Sequence, residues 1–229
     1  MWSRVLPFAE LRRAGRWNVA RFVEARAPRF AAAVPRVRLG DVTRERRETV
    51  DPQASPDREV DYLSLEHVDT LTGDLVGYAR SRAGSIRSRS KLFRPGQVLY
   101  ARLRPYLNKV YLASPEQIAE GLCSAEWIVL APDRSRVLPR VLRYLLASPP
   151  VLEQVVKLQG GAALPRVSAE ELLDLQIPLP PLTMQRSLER SLAEADRRRL
   201  ALRAELDALP TDTMAGFLAA LDGDGSADD

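Results

Sequence analysis

The segment TMQRSLERSLAEADRRRLALRAELDAL places Leu188, Leu192, Ala195, Leu202, Leu206 and Leu209 on alternating four- and three-residue spacing, with Arg199 in the remaining slot. That pattern predicts a coiled-coil seam nearly four heptads long. A helix over 182–210 would reach roughly 40 Å. A stripe that narrow, with charge on the other faces, seeks a partner helix and cannot fill a broad core. These six apolar residues are therefore the candidate dimerisation surface, with a helix from a different protein as the alternative occupant.

The rest of the chain divides around that helix. Residues 1–35 read as a short helical segment ending near Pro28 and Pro35. From 36 to 181 the pattern is a globular domain of mixed α+β type. Its first part alternates strands and turns: VDYLSLEHV, VLYARL after the turn signal RPGQ, and WIVLAP stopped by Pro132. The piece RSRAGSIRSRSK between two strands has no apolar periodicity and reads as an exposed basic loop. After Asp133 the spacing becomes helical, with a break at Ser148-Pro149-Pro150. Ser168 and Glu171 then form a capping-box pattern ahead of Leu172 and Leu173. Residues 211–229 read as an acidic, disordered tail ending in GDGSADD.

Charge narrows the function classes. From Leu75 to Tyr111 there are nine basic side chains and no Asp or Glu. Such a segment is the electrostatic footprint expected for a phosphate backbone. Arg80, Arg82, Arg87, Arg89, Lys91, Arg102, Arg104 and Lys109 are the candidate DNA contacts within it. Asn108 joins them because an amide can read adenine, and Arg166, beside the Gly160-Gly161 pair, because it can hold a phosphate. Asn108 could equally bond backbone in a turn.

Catalytic signatures are missing. No phosphate-binding glycine loop, nucleophile elbow or nuclease-type acidic cluster can be read from the chain. A single His (His67) excludes a multi-His metal site within one chain, and no cofactor or metal is expected. The single cysteine, Cys123, cannot form an internal disulfide, which suits a reducing cytoplasm. It reads as a small buried hydrophobe. No apolar run approaches the length of a membrane span.

Three longer segments together resemble a known family. GQVLYARLRPYLNKV, GLCSAEWIVLAP and GGAALPRVSAEELLDLQIPLPPLTMQ occur in the order found in target-recognition domains of type I restriction-modification specificity subunits. GRWNVARF before VRLGDV is similar to an N-terminal element of many members. Gln97, Ala125 and the residues before Gln185 depart modestly from the family pattern. The resemblance runs from about Arg16 to Leu209 and implies a sequence-specific DNA-binding subunit without catalytic chemistry. Such a subunit positions a methyltransferase, and in some systems a restriction subunit, on a bipartite site. The family's members carry two recognition domains and two spacer helices, whereas one of each is legible here. That makes the chain resemble a half-subunit able to restore twofold symmetry by homodimerising through 182–210. The competing expectation is a protein-binding adaptor of a phage-defence complex, with only weak nonspecific DNA binding.

Overall fold

Three continuous apolar runs, VLYA, VYLA and WIVLA, explain the centre of the molecule. The computed structural model describes residues 34–158 and 164–223. In it the runs become strands β8 (Val98–Ala101), β9 (Val110–Leu112) and β11 (Trp127–Pro132). With β2 (Thr43–Arg46) they form an antiparallel sheet in the order β2-β11-β8-β9. Alternate residues leave this sheet on opposite sides. Val98, Tyr100, Val110, Leu112, Ile128 and Leu130 enter one core; Leu99, Ala101, Tyr111, Ala113, Trp127 and Val129 enter the other. A sheet covered on both faces needs unbroken rather than alternating hydrophobicity, which is what these runs supply.

Helices cover the first face. They are α1 (Pro139–Leu146), α2 (Pro149–Leu158) and α3 (Ala169–Leu173), joined by a ribbon of β1 (Arg36–Arg38) on β12 (Gln176–Pro178). Leu142, Leu146, Val151, Val155, Leu172 and Ile177 are their fully buried contributions. The break between α1 and α2 falls at the Ser148-Pro149-Pro150 signal. The capping box forms: Ser168 Oγ accepts from the Glu171 N–H at 3.1 Å, and Glu171 Oε2 accepts from the Ser168 N–H at 2.7 Å.

A second sheet covers the other face. It runs β3 (Thr49–Val50), β7 (Ser90–Phe93), β10 (Gly121–Cys123), β5 (Tyr62–Leu63), with β5 parallel to β10 and the other pairs antiparallel. Trp127 is fully buried between the sheets and donates its indole N–H to the Leu63 carbonyl at 3.1 Å. Cys123 is fully buried here and burial pushes its thiol up to about 12, so it is an inert core residue. His67 serves the fold as well, closing a cap at Ser64 and meeting Tyr78 edge-on.

Two expectations need correction. The segment RSRAGSIRSRSK is not a free loop. Ser81–Arg82 form β6, which pairs with β4 (Glu59–Val60), and the end of the segment enters β7. Ala83, Ile86 and Ser90 are buried between the arginines, an interval too short to register as periodicity. The spacer helix, α4, runs from Leu182 through Pro210 to Gly223, so 211–223 is not a disordered tail. A proline inside an exposed helix costs about 3 kcal/mol. The residues beyond it, MAGFLAAL, are mostly strong helix formers and carry the helix past it. Residues 1–33 of the helical segment expected over 1–35, and 224–229 of the acidic tail, lie outside the described residues.

Candidate nucleic-acid interface

Strand β8 delivers its chain to a tight turn at residues 104–108. Arg104 (φ +48°) and Asn108 (φ +52°) both adopt the left-handed conformation, bracketing a single turn of 3₁₀ helix over Pro105–Leu107. Arg residues seldom accept that geometry, and it costs of order 1–3 kcal/mol unless surrounding bonds over-determine it. Here they do. The Arg104 N–H donates to the Pro165 carbonyl at 2.9 Å, and the Asn108 amide donates to the Ala147 carbonyl at 2.7 Å. Leu103 bridges to Arg166. The Arg104 side chain is left exposed, without an acidic partner among the described residues.

The candidate contacts separate by what holds them. Among the described residues Arg82 and Arg87 are exposed with unpaired side chains, and Arg89 donates to Thr49 Oγ1 at 3.2 Å. Arg80 lies 3.5 Å from Asp61 and 3.8 Å from Glu59. Lys91 is tied inside, donating to the Trp127 carbonyl at 2.7 Å and standing 3.8 Å from Glu45. Lys109 donates to the Leu65 carbonyl at 2.7 Å, and burial pulls its ammonium below the usual range. Arg166 is paired with Glu126 at 3.0 Å. Arg102 is half-buried, with its backbone bonded to Glu126 and Val167 and its Nε enclosed without a partner.

The stretch that is free of acids in sequence is therefore not free of them in space. Pairing of β3 with β7, of β4 with β6 and of β2 with β11 brings Glu48, Glu59, Asp61 and Glu45 onto Arg94, Arg80 and Lys91. Those strand pairs are tertiary choices that a charge count cannot see. The same choices expose Arg58 at a cleft of about 710 Å³ that Arg80, Arg94, Asp61 and Glu120 also line. Arg58 sits among acids in SPDREV, so no basic run marks it.

The candidate dimerisation residues also divide. α4 docks on its own domain through a polar stripe, not through the leucine seam. Gln185 is fully buried, accepting from the Leu138 N–H at 2.9 Å and donating to the Arg136 and Pro180 carbonyls at 2.8 Å. Asp196 accepts from Arg140, from Tyr144 at 2.5 Å, and pairs with Arg199 at 2.7 Å. Arg199 reaches Asp74 at 2.6 and 2.7 Å. The slot that broke the leucine pattern is thus an ionic clamp to the layered domain. Burial alone would push the Asp196 carboxyl up, but bonds from Tyr144, Arg199 and Arg140 outweigh it and hold the group below the ordinary range.

At about 100° per residue, the leucine seam lies roughly 70° around the helix from this stripe. Leu188 and Leu192 are half-buried and Ala195 is exposed. Leu202, Leu206 and Leu209 are more than half exposed, and the apolar surface continues through Met214, Phe217 and Leu218. Among the described residues, no group of three or more His, Cys, Asp or Glu could hold a metal, and no helix is long and apolar enough to cross a membrane.

The layered domain with one long exit helix has known relatives. No family model matches the chain. The type I restriction enzyme EcoDI specificity subunit of Escherichia coli is 26% identical over 133 residues, which is 58% of this chain and 28% of that protein. Among solved structures, a chain of a type I R-M system studied for its assembly and conformational transition aligns with a TM-score of 0.63 and 26% identity. It covers 88% of this chain and 52% of that one. The HsdS subunit from Thermoanaerobacter tengcongensis aligns at 0.62 and 26% identity, over 82% of this chain and 48% of its own. The type I S subunit from M. genitalium, at 15% identity and 0.55, shares the fold alone.

The fold is that of type I restriction-modification specificity subunits. By sequence as well as by fold this chain is a relative of those proteins, and it spans about half the length of the solved chains it matches.

Proposed function

We propose that the chain recognises double-stranded DNA by sequence as a non-catalytic specificity component. Partner subunits would carry methyl transfer and, in a full restriction system, cleavage. The observation that carries this reading is Arg104, an exposed guanidinium, unpaired among the described residues, held in a left-handed turn just past a fully buried strand. A guanidinium on so fixed a backbone can bridge a phosphate or bond bidentately to guanine, with only its side-chain freedom left to lose on binding. Arg82, Arg87 and Arg89 extend the basic surface along the 80–91 segment. Phosphate contacts would set orientation, with few side chains reading bases. Lys91, Asn108 and Lys109, bonded to backbone carbonyls, act in this reading as supports for that surface rather than as its contacts.

A bipartite site needs two recognition domains, and a second copy of the chain would supply the other. The leucine seam supports an antiparallel pair. If Arg199 lies across from Leu202 of the second copy, Leu192 meets Leu209, Ala195 meets Leu206, and Arg198 stands against Glu205. A parallel pair would set Arg199 on Arg199 and bring Arg198 near Arg203, two like-charge contacts. Antiparallel pairing relates the two domains by a twofold axis, which corresponds to inverted half-sites on DNA.

The test is selection of bound duplexes from a random pool, followed by salt titrations on selected and random DNA. A specificity ratio of about 10³ or more is expected. Arg104→Ala should weaken binding and reduce the salt dependence by about one phosphate contact while leaving the melting curve intact. Equal affinity for selected and random DNA would favour the protein-binding adaptor instead.

A further inference from the structure

The turn at 69–74 carries a feature that DNA recognition does not use. Leu71 at its tip is 90% exposed, yet the turn is firmly built. Asp69 Oδ1 accepts from the Leu71 N–H at 2.9 Å, the Thr72 N–H at 2.8 Å and the Thr72 hydroxyl at 3.0 Å. Backbone bonds link Asp69 to Asp74 at 2.9 Å and Gly73 to Asp69 at 3.0 Å, with Gly73 at φ +66° closing the bend. Asp74, nearly buried, then clamps Arg199 of α4, and Arg203 one turn further helps hold the Asp69 carboxylate ionised. A single exposed leucine is ordinary on a protein surface. One presented on a turn with so little freedom, bolted to the middle of a helix whose neighbouring leucines are also bare, is placed for contact.

We infer that Leu71 is part of the self-association surface and packs against a second copy of the chain beside the twofold axis. This rests on the antiparallel self-pairing proposed above. The position follows from the clamp. In that pair Arg199 lies one layer from the centre, so the turn it holds sits close to the axis, as does the equivalent turn of the second copy. Both turns lie on the same flank of the helix pair, because each domain docks on the flank that carries Asp196 and Arg203. The two Leu71 side chains then close the end of the exposed leucine seam where Leu202 begins it. Rigidity lowers the ordering cost of such a contact. The occupant is a second copy because the flanking charges of the seam, Arg198 and Glu205, complement themselves when the helix is reversed.

Light scattering across a concentration series, on the full chain and on Leu71→Asp, tests this, with Leu202→Asp as the reference for loss of the seam itself. Leu71→Asp should raise the dimer dissociation constant about tenfold or more while keeping the wild-type circular dichroism and melting curve. An unchanged dissociation constant in Leu71→Asp, with Leu202→Asp monomeric, overturns the role of Leu71 and leaves self-pairing standing. A wild-type chain that is monomeric at every concentration overturns self-pairing and this inference with it. Leu71→Cys gives a second measurement, since the native Cys123 is fully buried. A short bismaleimide should join Leu71→Cys into a covalent dimer but leave a control cysteine at exposed Ser85 uncoupled; no cross-link at position 71 counts against the contact.

Discussion

Asp196→Ala removes a carboxylate that accepts from Arg140 and Tyr144 and pairs with Arg199, at a residue only 7% exposed. Arg140 is equally enclosed and would keep Glu116 at 3.1 Å and the more distant Glu189 at 3.8 Å. Stranding one member of a buried ion pair costs about 3–5 kcal/mol. Because Glu116 remains, the lower end applies, about 3 kcal/mol. With a urea dependence of about 2 kcal/mol per molar, the unfolding midpoint should fall by about 1.5 M. The same physics makes a second expectation in the opposite direction. Replacing both partners, as Arg140→Met with Asp196→Leu, removes the desolvated charges together and should recover most of the loss. Arg199 would still hold Asp74. Urea unfolding followed by circular dichroism measures all three proteins. An Asp196→Ala chain within 1 kcal/mol of wild type would refute the view that this network seats the helix. So would a double variant no more stable than the single one.

Other consequences follow from the same geometry. Gly73→Ala would drive a methyl to 2.2 Å from the Val110 carbonyl at a left-handed position, and a melting curve should show a loss of about 2 kcal/mol or more. Asp196, Glu116 and Asp69 all ionise below the ordinary carboxylate range, because hydrogen bonds outweigh the burial that would push them up. Depressed folded-state values stabilise the protein above about pH 4 and lose that contribution as pH falls through them. The urea midpoint should therefore drop steeply below about pH 4, and Asp196→Asn should flatten that drop. Pro210→Ala restores a lost hydrogen bond and relieves a ring clash, defects that together cost up to about 3 kcal/mol, and should slow amide exchange over residues 205–215; unchanged protection there would mean the turn around Pro210 is not a weak point.

Much of this architecture could be read from local pattern. The unbroken runs VLYA and WIVLA declare strands covered on both faces, because a one-sided strand would alternate. Ser168 and Glu171 declare a helix start, since a capping box needs only neighbours three residues apart. The heptad spacing from Leu188 to Leu209 declares a long helix with a bare seam, which needs no knowledge of the domain at all. Pro210 misleads by the same token: its local cost is real, but the helix-forming residues beyond it decide where α4 ends.

What local pattern could not reach were the partners across long sequence separations. Nothing near Arg199 in the chain announces Asp74, 125 residues away, or turns a flaw in the leucine stripe into the clamp that docks the helix. Nothing near Lys91 announces Glu45 and the Trp127 carbonyl, which tie its ammonium to the domain. A basic run in sequence records how many charges a segment carries. Which of them remain free is set when sheets pair and bring acids alongside. Local sequence determined the elements and the basic character of this protein, because helix period, strand period and caps depend on neighbours. Only the tertiary structure decided that, among the described residues, Arg104, Arg82 and Arg87 stay unpaired while Arg80, Lys91 and Arg166 do not, because electrostatic partners are chosen by distance in space.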